Sequence, residues 1–369
     1  MIVEGRLVLD DRVVGGAVVL AGEQITDVVA DDRPTDGLPY LAPGFCDVHV
    51  HGWGGHSAMG GVDALDGMAR ALLRRGVTSF LPTAVSAPLA ELAAFADRVR
   101  SWLPLAPRDG AQPLGFNLEG PFLAEARRGA HDAAFLMAPS AVTREGLSPL
   151  LESLQVITVA PELPGAVELI EWLASRGVAV SLGHSAATFE EARAGYAAGA
   201  RSTTHLFNAM TGVDHRSPGL AVAALLDDNV NVELIADGIH VDRAIWPLIM
   251  RVKPADRLLL VSDAVEFAGT GDGRGRLGSL EVEVVGERVT LAGTTTLAGS
   301  VLALDKAVRN LVQAGSTLPA AVAAASRNPL ALLGITDRGR LAPGQRADLV
   351  ELDDALSVRR VMRAGTWVS

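Results

Sequence analysis

Six side chains of the types that bind metal ions are distributed along the chain, and each follows an apolar run: His49, His51, Glu119, His184, His205 and Asp263. The first two form an H-x-H pair at the end of the segment 43–51. In an extended segment both imidazoles of such a pair project to the same side, because side chains alternate across a strand with period two. Two imidazoles on one face can share a metal ion. An isolated H-x-H pair is more often a solvated strand end, so the metal prediction depends on the other four residues.

The apolar runs before these residues have the length and the Val, Ile and Leu content of buried strands, and helical spacing prevails between them. The eight predicted strands are 43–49, 78–81, 114–118, 156–160, 178–182, 202–205, 232–236 and 258–262. Dividing the 214 positions between His49 and Asp263 by the seven intervening units gives about 31 residues per unit, close to a β-α-β module. This predicts an α/β fold with a (β/α)8 TIM-like barrel.

In such barrels the active site forms at the C-terminal ends of the strands. His49 and His51 end the first predicted strand, and the other four metal-type residues end the third, fifth, sixth and eighth. A single histidine at a strand end is usually a polar residue of the rim, but six such residues at the same end of one barrel predict a shared metal site. Nitrogen and oxygen ligands suit Zn²⁺, Fe²⁺, Mn²⁺ or Co²⁺ without distinguishing among them.

The length of 369 residues exceeds the roughly 250 of a barrel. Short apolar runs separated by turns occur at both chain ends, so we expect residues 1–42 and 342–369 to form one small β-sandwich domain beside a barrel of residues 43–341. A further hairpin is predicted at 280–285 and 288–291, where it would cover one side of the barrel mouth.

The formal net charge of −11 and the absence of a Lys/Arg run argue against nucleic-acid binding, so an anionic ligand must be held by local groups. The sequence begins without a basic leader, and its apolar stretches stay below the roughly 18 residues of a membrane span. We therefore expect no membrane association and a cytoplasmic location. The single cysteine, Cys46, is expected to be a small buried hydrophobe.

Several motifs resemble the amidohydrolase superfamily and, within it, the N-acetylglucosamine-6-phosphate deacetylase family. The matching segments are 43–45, 51–55, 117–122, 129–131, 182–185, 204–210, 236–240, 262–264 and 297–300. H-x-H and Ser-Asp-Ala occur throughout the superfamily, whereas Asn-Leu-Glu-Gly-Pro-Phe, His-Leu-Phe-Asn-Ala-Met and Asp-Gly-Ile-His are much more specific to the deacetylases. The resemblance covers nearly the whole chain.

This resemblance implies a metal-dependent hydrolase that converts N-acetyl-D-glucosamine 6-phosphate to D-glucosamine 6-phosphate and acetate. It implies that Glu119 bridges one metal held by His49, His51 and Asp263 to a second held by His184 and His205, giving two divalent cations per subunit. It also implies that Asp263 takes a proton from the attacking water and passes it to the leaving amine. His131 would hold the carbonyl oxygen.

The resemblance further implies which residues bind the amino sugar phosphate: Ala130, His131, Asn208, Ala209, Arg216, Asp237, His240, Leu297, Ala298 and Gly299. In the family the arginine that matches Arg216 reaches the phosphate of the neighbouring subunit, so a homodimer is expected. Asp132 stands where asparagine is common, and His215 stands where a small residue is usual. Neither His215 nor His56 receives a role.

Three other readings stay open from the sequence. The substrate could be the galactosamine epimer, because one hydroxyl changes orientation. The chain could be a different amidohydrolase acting on a non-phosphorylated amide, such as a cyclic-imide hydrolase or a deaminase. It could also be a barrel that has lost catalysis, although the presence of every ligand position argues against that reading.

Overall fold

Eight parallel strands form a barrel, and a helix follows each strand before the next begins. The structure is a computed structural model that describes residues 1–31 and 35–368. The barrel strands are Phe45–Val50, Val77–Val85, Phe116–Glu119, Leu154–Val159, Ala179–Leu182, Ser202–Thr203, Asn231–Leu234 and Leu258–Leu260. The helices are Val62–Leu73, Leu89–Trp102, Arg144–Leu151, Ala166–Ala174, Phe189–Ala197, Leu220–Leu226, Trp246–Val252, Leu304–Gln313, Leu318–Ala325 and Arg327–Leu332. The predicted barrel is confirmed, and its strand bounds differ from the prediction by a few residues.

The residues with metal-type side chains themselves bring the eighth strand against the first. The Asp263 N–H donates to the His49 carbonyl at 2.9 Å, and the His51 N–H donates to the Ala264 carbonyl at 2.8 Å. These hydrogen bonds lie just beyond the ends of both strands. The backbone that closes the barrel therefore also holds the side chains of His49, His51 and Asp263 next to one another.

The burial pattern explains why these segments become strands and helices. All nine residues of Val77–Val85 and all six of Phe45–Val50 are buried, as expected of parallel strands covered on both faces. In the helix Val62–Leu73, five residues at helical spacing are buried against the barrel: Leu65, Met68, Ala69, Leu72 and Leu73.

Both chain ends contribute to one seven-stranded sheet beside the barrel. Its strand order is Thr366–Trp367, Val358–Arg363, Leu349–Leu352, Tyr40–Pro43, Ile2–Val8, Val13–Ala21 and Gln24–Ala30. The sheet curls until its last strand meets the segment before Leu349–Leu352, where the Ile25 N–H donates to the Gln345 carbonyl at 2.8 Å. The sandwich is thus formed by one sheet that encloses a separate apolar core. Residues 32–34 and 369, within the end segments predicted to form this domain, lie outside the described residues.

A three-stranded antiparallel sheet follows the eighth barrel strand. The predicted hairpin of Leu280–Val285 and Arg288–Leu291 is present, and a third strand, Gly273–Leu277, pairs with it. The sequence prediction missed this strand because its Gly-Arg-Gly-Arg-Leu sequence lacks an apolar alternation. Gly275 gives the Phe267 ring room, since a Cβ there would lie 1.8 Å from the Phe267 Cζ. Leu277, at the end of the strand, reaches the cavity at the barrel mouth.

Shorter elements complete the chain. Two short strands, Gly52–Trp53 and His56–Ser57, pair with each other, and Gln112–Pro113 pairs with the second barrel strand. The 3-10 helices are Leu103–Leu105, Glu125–Arg127, Ala133–Phe135, Pro139–Ala141 and Ala255–Arg257. Across residues 1–31 and 35–368, every helix is too short or too polar to cross a bilayer.

Candidate metal centre

The six predicted metal ligands converge at the C-terminal mouth of the barrel. Each lies at or just beyond the end of a different barrel strand, apart from the H-x-H pair on the first. All six are buried, with Asp263 the most exposed at 6%. The structure therefore brings together residues that are separated by up to 214 positions in the sequence.

Glu119 divides these donors into two groups. Its Oε1 atom lies 2.9 Å from the His184 Nε2 and 2.8 Å from the His205 Nε2. Its Oε2 atom lies 3.2 Å from the His51 Nε2 and 3.6 Å from the His49 Nε2. One carboxylate thus presents a different oxygen to each pair of histidines, which is the arrangement needed to bridge two cations.

Asp263 belongs to the group that contains the H-x-H pair. Its Oδ1 atom lies 3.1 Å from the His51 Nε2 and 3.6 Å from the His49 Nε2. The ligand atoms of these three residues and of Glu119 all lie within 4.8 Å of one another. Four donors at such separations can hold one cation, and Asp263 also borders the cavity.

Hydrogen bonds on the far side of three rings orient their Nε2 atoms toward the centre. The Nδ1 atom of His49 contacts the Glu233 Oε2 at 3.1 Å, that of His51 the Thr83 carbonyl at 3.1 Å, and that of His184 the Arg127 carbonyl at 2.8 Å. Because these oxygens accept hydrogen bonds, each Nδ1 is assigned the proton and each Nε2 keeps its lone pair.

The lone pairs at the centre need a positive partner. The Nε2 atoms of His184 and His205 lie 3.1 Å apart. The His49 Nε2 is buried and has no hydrogen-bond partner among residues 1–31 and 35–368. A buried polar atom without a partner is unfavourable. Bare nitrogen lone pairs around a carboxylate fit divalent cations such as Zn²⁺, Fe²⁺, Mn²⁺ or Co²⁺.

The electrostatics of the centre agree with this assignment. Burial lowers the pKa of His51, but hydrogen bonds to Asp263 and Glu119 outweigh burial and raise that pKa to about 9. Burial alone would raise the pKa of Glu119, yet the histidines around it, including His131 through a hydrogen bond, hold that pKa well below its usual value. The carboxylates therefore draw positive charge into the site, and bound cations would supply it.

His131 differs from the other histidines in its tautomer. Its Nδ1 accepts a hydrogen bond from the Ser86 backbone N–H at 3.2 Å, so the proton is assigned to Nε2, which lies 3.2 Å from the Glu119 Oε2. Burial lowers the pKa of His131 to about 4, and Glu119 only partly opposes this. His131 is therefore a neutral N–H donor at pH 7. This suits a carbonyl oxygen as partner, although its position beside Glu119 and His184 also fits a metal ligand geometrically.

The backbone around the site adopts conformations that are rare for residues with side chains. Positive φ angles occur at His184, His205, Phe207, Ala209 and Asp263. Such conformations cost of order 1–3 kcal/mol each and concentrate at functional sites. At Gly129, φ is +55° and an added Cβ would lie 3.2 Å from the His184 Cε1, so glycine lets the loop pass directly over that ring.

The predicted substrate residues occupy different positions around the cavity. Seven border it: Ala130, His131, Asn208, Ala209, His240, Leu297 and Gly299. Asp237 lies behind His240, where its Oδ2 accepts from the His240 Nδ1 at 2.6 Å. Ala298 is fully buried. Arg216 is exposed on a loop and does not border the cavity of its own chain.

Sequence reasoning missed several residues that shape the site. Arg127 and Thr296 border the cavity, and Glu233 orients His49 from behind. Arg127 lies two residues before the Gly129-Ala130-His131 motif, which could have indicated it. Glu233 alternates with apolar residues inside a strand, so only the register of the seventh barrel strand reveals that it faces the centre.

Known proteins resemble this chain over most of its length. The family model described as "Amidohydrolase family" matches residues 40–368. The N-acetylglucosamine-6-phosphate deacetylase of Bos taurus is 39% identical over 387 residues, covering 99% of this chain and 92% of the relative. The N-acetylgalactosamine-6-phosphate deacetylase of Escherichia coli O157:H7 is 39% identical over 333 residues, covering 89% of this chain and 88% of the relative.

A solved structure is similar over the whole fold. It is a mutant N-acetyl-D-glucosamine-6-phosphate deacetylase from Mycobacterium smegmatis in complex with N-acetyl-D-glucosamine 6-phosphate. The TM-score is 0.92 at 34% sequence identity, and the match covers 100% of this chain and 99% of that chain. The similarity therefore includes both the barrel and the sheet of both chain ends.

Proposed function

This chain belongs to the amidohydrolase family and, within it, to the N-acetylglucosamine-6-phosphate deacetylases, and from that premise we propose that it hydrolyses N-acetyl-D-glucosamine 6-phosphate to D-glucosamine 6-phosphate and acetate. The observation that carries the proposal is the pair of donor groups that share Glu119 in a buried centre open to the cavity. Amide hydrolysis needs an activated water, a polarised carbonyl and a proton for the leaving nitrogen, and this centre can serve all three.

We propose that the centre holds two divalent cations per subunit. His49, His51, Glu119 and Asp263 would hold one, and His184, His205 and Glu119 the other. When bound, such cations lower the pKa of water and polarise an amide carbonyl. The surrounding chain keeps the ligands in place through the hydrogen bonds to Thr83, Arg127 and Glu233 described above.

Asp263 is proposed to move the proton. Without cations, burial would raise its pKa, but a hydrogen bond from protonated His51 and the charges of the protonated histidine pair hold that pKa below its usual value. Bound cations would supply the same positive charge. The carboxylate can therefore accept the proton of the attacking water as its oxygen bonds to the acetyl carbon. It then delivers that proton to the nitrogen as the C–N bond breaks, which leaves a free amine and acetate.

His131 and His240 are proposed to orient the substrate. The neutral Nε2–H of His131 can donate to the acetyl carbonyl oxygen and stabilise the negative charge that develops there. The His240 Nδ1–H donates a hydrogen bond to the Asp237 Oδ2 at 2.6 Å, which leaves its Nε2 to accept from a sugar hydroxyl. Leu297, Ala298 and Gly299 shape the wall beside them.

The phosphate is proposed to bind at Asn208 and Ala209, with Arg216 supplied by the second subunit of a homodimer. Asn208 and Ala209 border the cavity, and the Asn208 Nδ2, which donates to the His205 and Leu206 carbonyls at 3.1 and 3.2 Å, would turn toward a bound phosphate. Arg216 is exposed, and its guanidinium makes no ion pair with another described residue. A planar guanidinium can bind phosphate oxygens with two parallel hydrogen bonds.

Replacing Arg216 with alanine is expected to raise KM for the phosphorylated substrate by roughly 10- to 100-fold, the value of a charged hydrogen bond. The KM for unphosphorylated N-acetylglucosamine should not change. Arg12→Ala, which removes an exposed arginine from the turn between Ile2–Val8 and Val13–Ala21, is the control. An unchanged KM in Arg216→Ala would contradict the phosphate role and favour an amidohydrolase with a different substrate.

A mixed dimer tests whether Arg216 acts across the interface. Combining Arg216→Ala chains with Asp263→Asn chains creates sites that have an intact Asp263 and receive an intact Arg216 from the partner. We expect the low KM to return in this mixture. If Arg216 acts within its own chain, the mixture should keep the high KM.

The function itself is tested by incubating the metal-loaded protein with each 6-phosphate and measuring free amine. We expect the glucosamine compound to react with the higher kcat/KM. The galactosamine relative is equally identical to this chain, so faster turnover of the galactosamine compound would reassign the substrate. No turnover of either with Zn²⁺, Fe²⁺, Mn²⁺ or Co²⁺ would refute the proposal.

We also propose that residues 1–42 and 342–369 act as one small domain and residues 43–341 as the catalytic barrel. The shared sheet of both chain ends and its separate apolar core support this division. A cytoplasmic location is proposed because a sugar phosphate carries charge that opposes passage through a bilayer.

A further inference from the structure

Glu233 is a fully buried carboxylate behind the metal centre, on the seventh barrel strand, with an exposed fraction of 0%. Its Oε2 atom lies 3.1 Å from the His49 Nδ1 and accepts a hydrogen bond from the His205 backbone N–H at 3.1 Å. Its Oε1 atom has no hydrogen-bond partner among the described residues. One oxygen therefore contacts a member of each donor group.

Barrel stability alone does not account for this residue. A carboxylate buried without a cationic partner is costly, and its strand neighbours Val232 and Leu234 are apolar and buried. Elsewhere the chain pairs such a group with arginine: Glu351, also buried in a strand, contacts the Arg360 Nε at 2.7 Å. Among the described residues Glu233 has only histidine, His49, as an ion-pair partner. A cation on the other side of the His49 ring would balance its charge.

We propose that Glu233 is a positioning residue that fixes one histidine of each cation site, His49 and His205, relative to the other. By accepting the Nδ1 proton of His49, it leaves the Nε2 lone pair facing His51, Glu119 and Asp263. By accepting the His205 N–H, it satisfies a backbone donor at a residue whose φ is +28° and whose Nε2 faces the other site. The inference rests on the metal binding in the proposed function.

The two contacts predict a specific coupling. Removing Glu233 should loosen His49, which serves the first site, and His205, which serves the second, although Glu233 itself binds no cation. Carboxylates that accept from ligating histidines typically contribute 10- to 100-fold in metal affinity. The affinity loss should therefore appear at both sites together.

Two substitutions separate charge from hydrogen bonding. Glu233→Gln keeps a carbonyl oxygen that can accept from both donors but lacks the charge, and we expect affinity about tenfold weaker for both cations. Glu233→Leu removes both acceptors, and we expect a loss of about 100-fold. Glu351→Gln is the matched control, since it changes a buried strand glutamate of the end sheet and should leave metal affinity unchanged.

The experiment measures cation content after dialysis against graded chelator, and the rise in Tm on adding Zn²⁺ or Co²⁺ to apo protein. A positioning role predicts a smaller metal-induced rise in Tm for the Glu233 variants, because weaker binding stabilises the native state less. A lower apo Tm with an unchanged metal-induced rise would show a merely structural role and overturn the inference.

The remaining outcomes are also decisive. Unchanged affinity at both sites would overturn the inference, and weakening at only one site would overturn the coupling between the sites. A wild-type chain that binds no divalent cation under these conditions would instead contradict the proposed function, so the two failures are distinguishable.

Discussion

Replacing Asp263 with asparagine is expected to lower kcat for the deacetylation by about 10³- to 10⁴-fold, the upper range for loss of a general acid–base group. Asparagine has nearly the same size but neither accepts the water proton nor returns one to the leaving nitrogen. The change affects a group that acts mainly in the transition state, so kcat should fall far more than KM changes. The measurement is steady-state release of free amine from saturated, metal-loaded protein.

Metal content separates proton transfer from ligand loss in that variant. Asp263 belongs to the group that contains the H-x-H pair and is absent from the group of His184, His205 and Glu119. The variant should therefore still hold the cation between His184 and His205. Asp305→Asn is the control, because Asp305 is also a buried aspartate but lies away from the cavity. Its carboxylate pairs with the Arg75 guanidinium at 2.8 Å. A loss of kcat below tenfold in Asp263→Asn would contradict the proton-transfer role.

The sequence was sufficient to predict the barrel and the position of its mouth, because short segments of the chain indicate both. Each barrel strand is a short apolar run, and each predicted ligand directly follows one, so the alternation of strands and helices places all six at one end. Parallel strands buried on both faces make such runs continuous. This explains why residues as distant as His49 and Asp263 could be placed together once the barrel was predicted.

Features that depend on strand register or on contacts with a distant part of the chain could not be predicted from the sequence. Glu233 lies within an apolar strand, and its role follows only from which neighbour its side chain meets. The strand Gly273–Leu277 lacks any apolar alternation and forms because the hairpin beside it offers an edge and Phe267 packs over Gly275. The Ser86 backbone N–H, which is 45 residues away, donates to the His131 Nδ1 and so determines that the ring proton lies on Nε2.

The residues proposed to bind phosphate differ in whether the structure of one chain explains their role. Asn208 and Ala209 border the cavity, whereas Arg216 belongs to the same region of sequence but points to solvent. A residue that completes a site across an interface leaves no trace in the packing of its own chain. This is why the mixed-dimer experiment, and not a finer description of one subunit, tests its role.

Removing divalent cations with a chelator is expected to abolish turnover and lower the Tm, and adding back two equivalents should restore both. The centre buries four imidazoles and two carboxylates whose lone pairs face one another, and without cations hydrogen bonds to Asp263 and Glu119 overcome burial and raise the pKa of His51 to about 9. Bound cations stabilise only the folded state, so the Tm should rise with cation concentration. Unchanged turnover after exhaustive chelation would contradict metal-dependent hydrolysis.

Paired histidine substitutions then assign the cations to their donors. Replacing His49 and His51 together with glutamine should reduce the content from two cations to one, because Glu119 Oε1, His184 and His205 remain. Replacing His184 and His205 together should remove the other cation. If either double variant lost both cations or neither, the division of donors by the two oxygens of Glu119 would be wrong. On this proposal the H-x-H pair would determine how many cations the chain holds, and Glu119 would determine whether the two sites act as one centre.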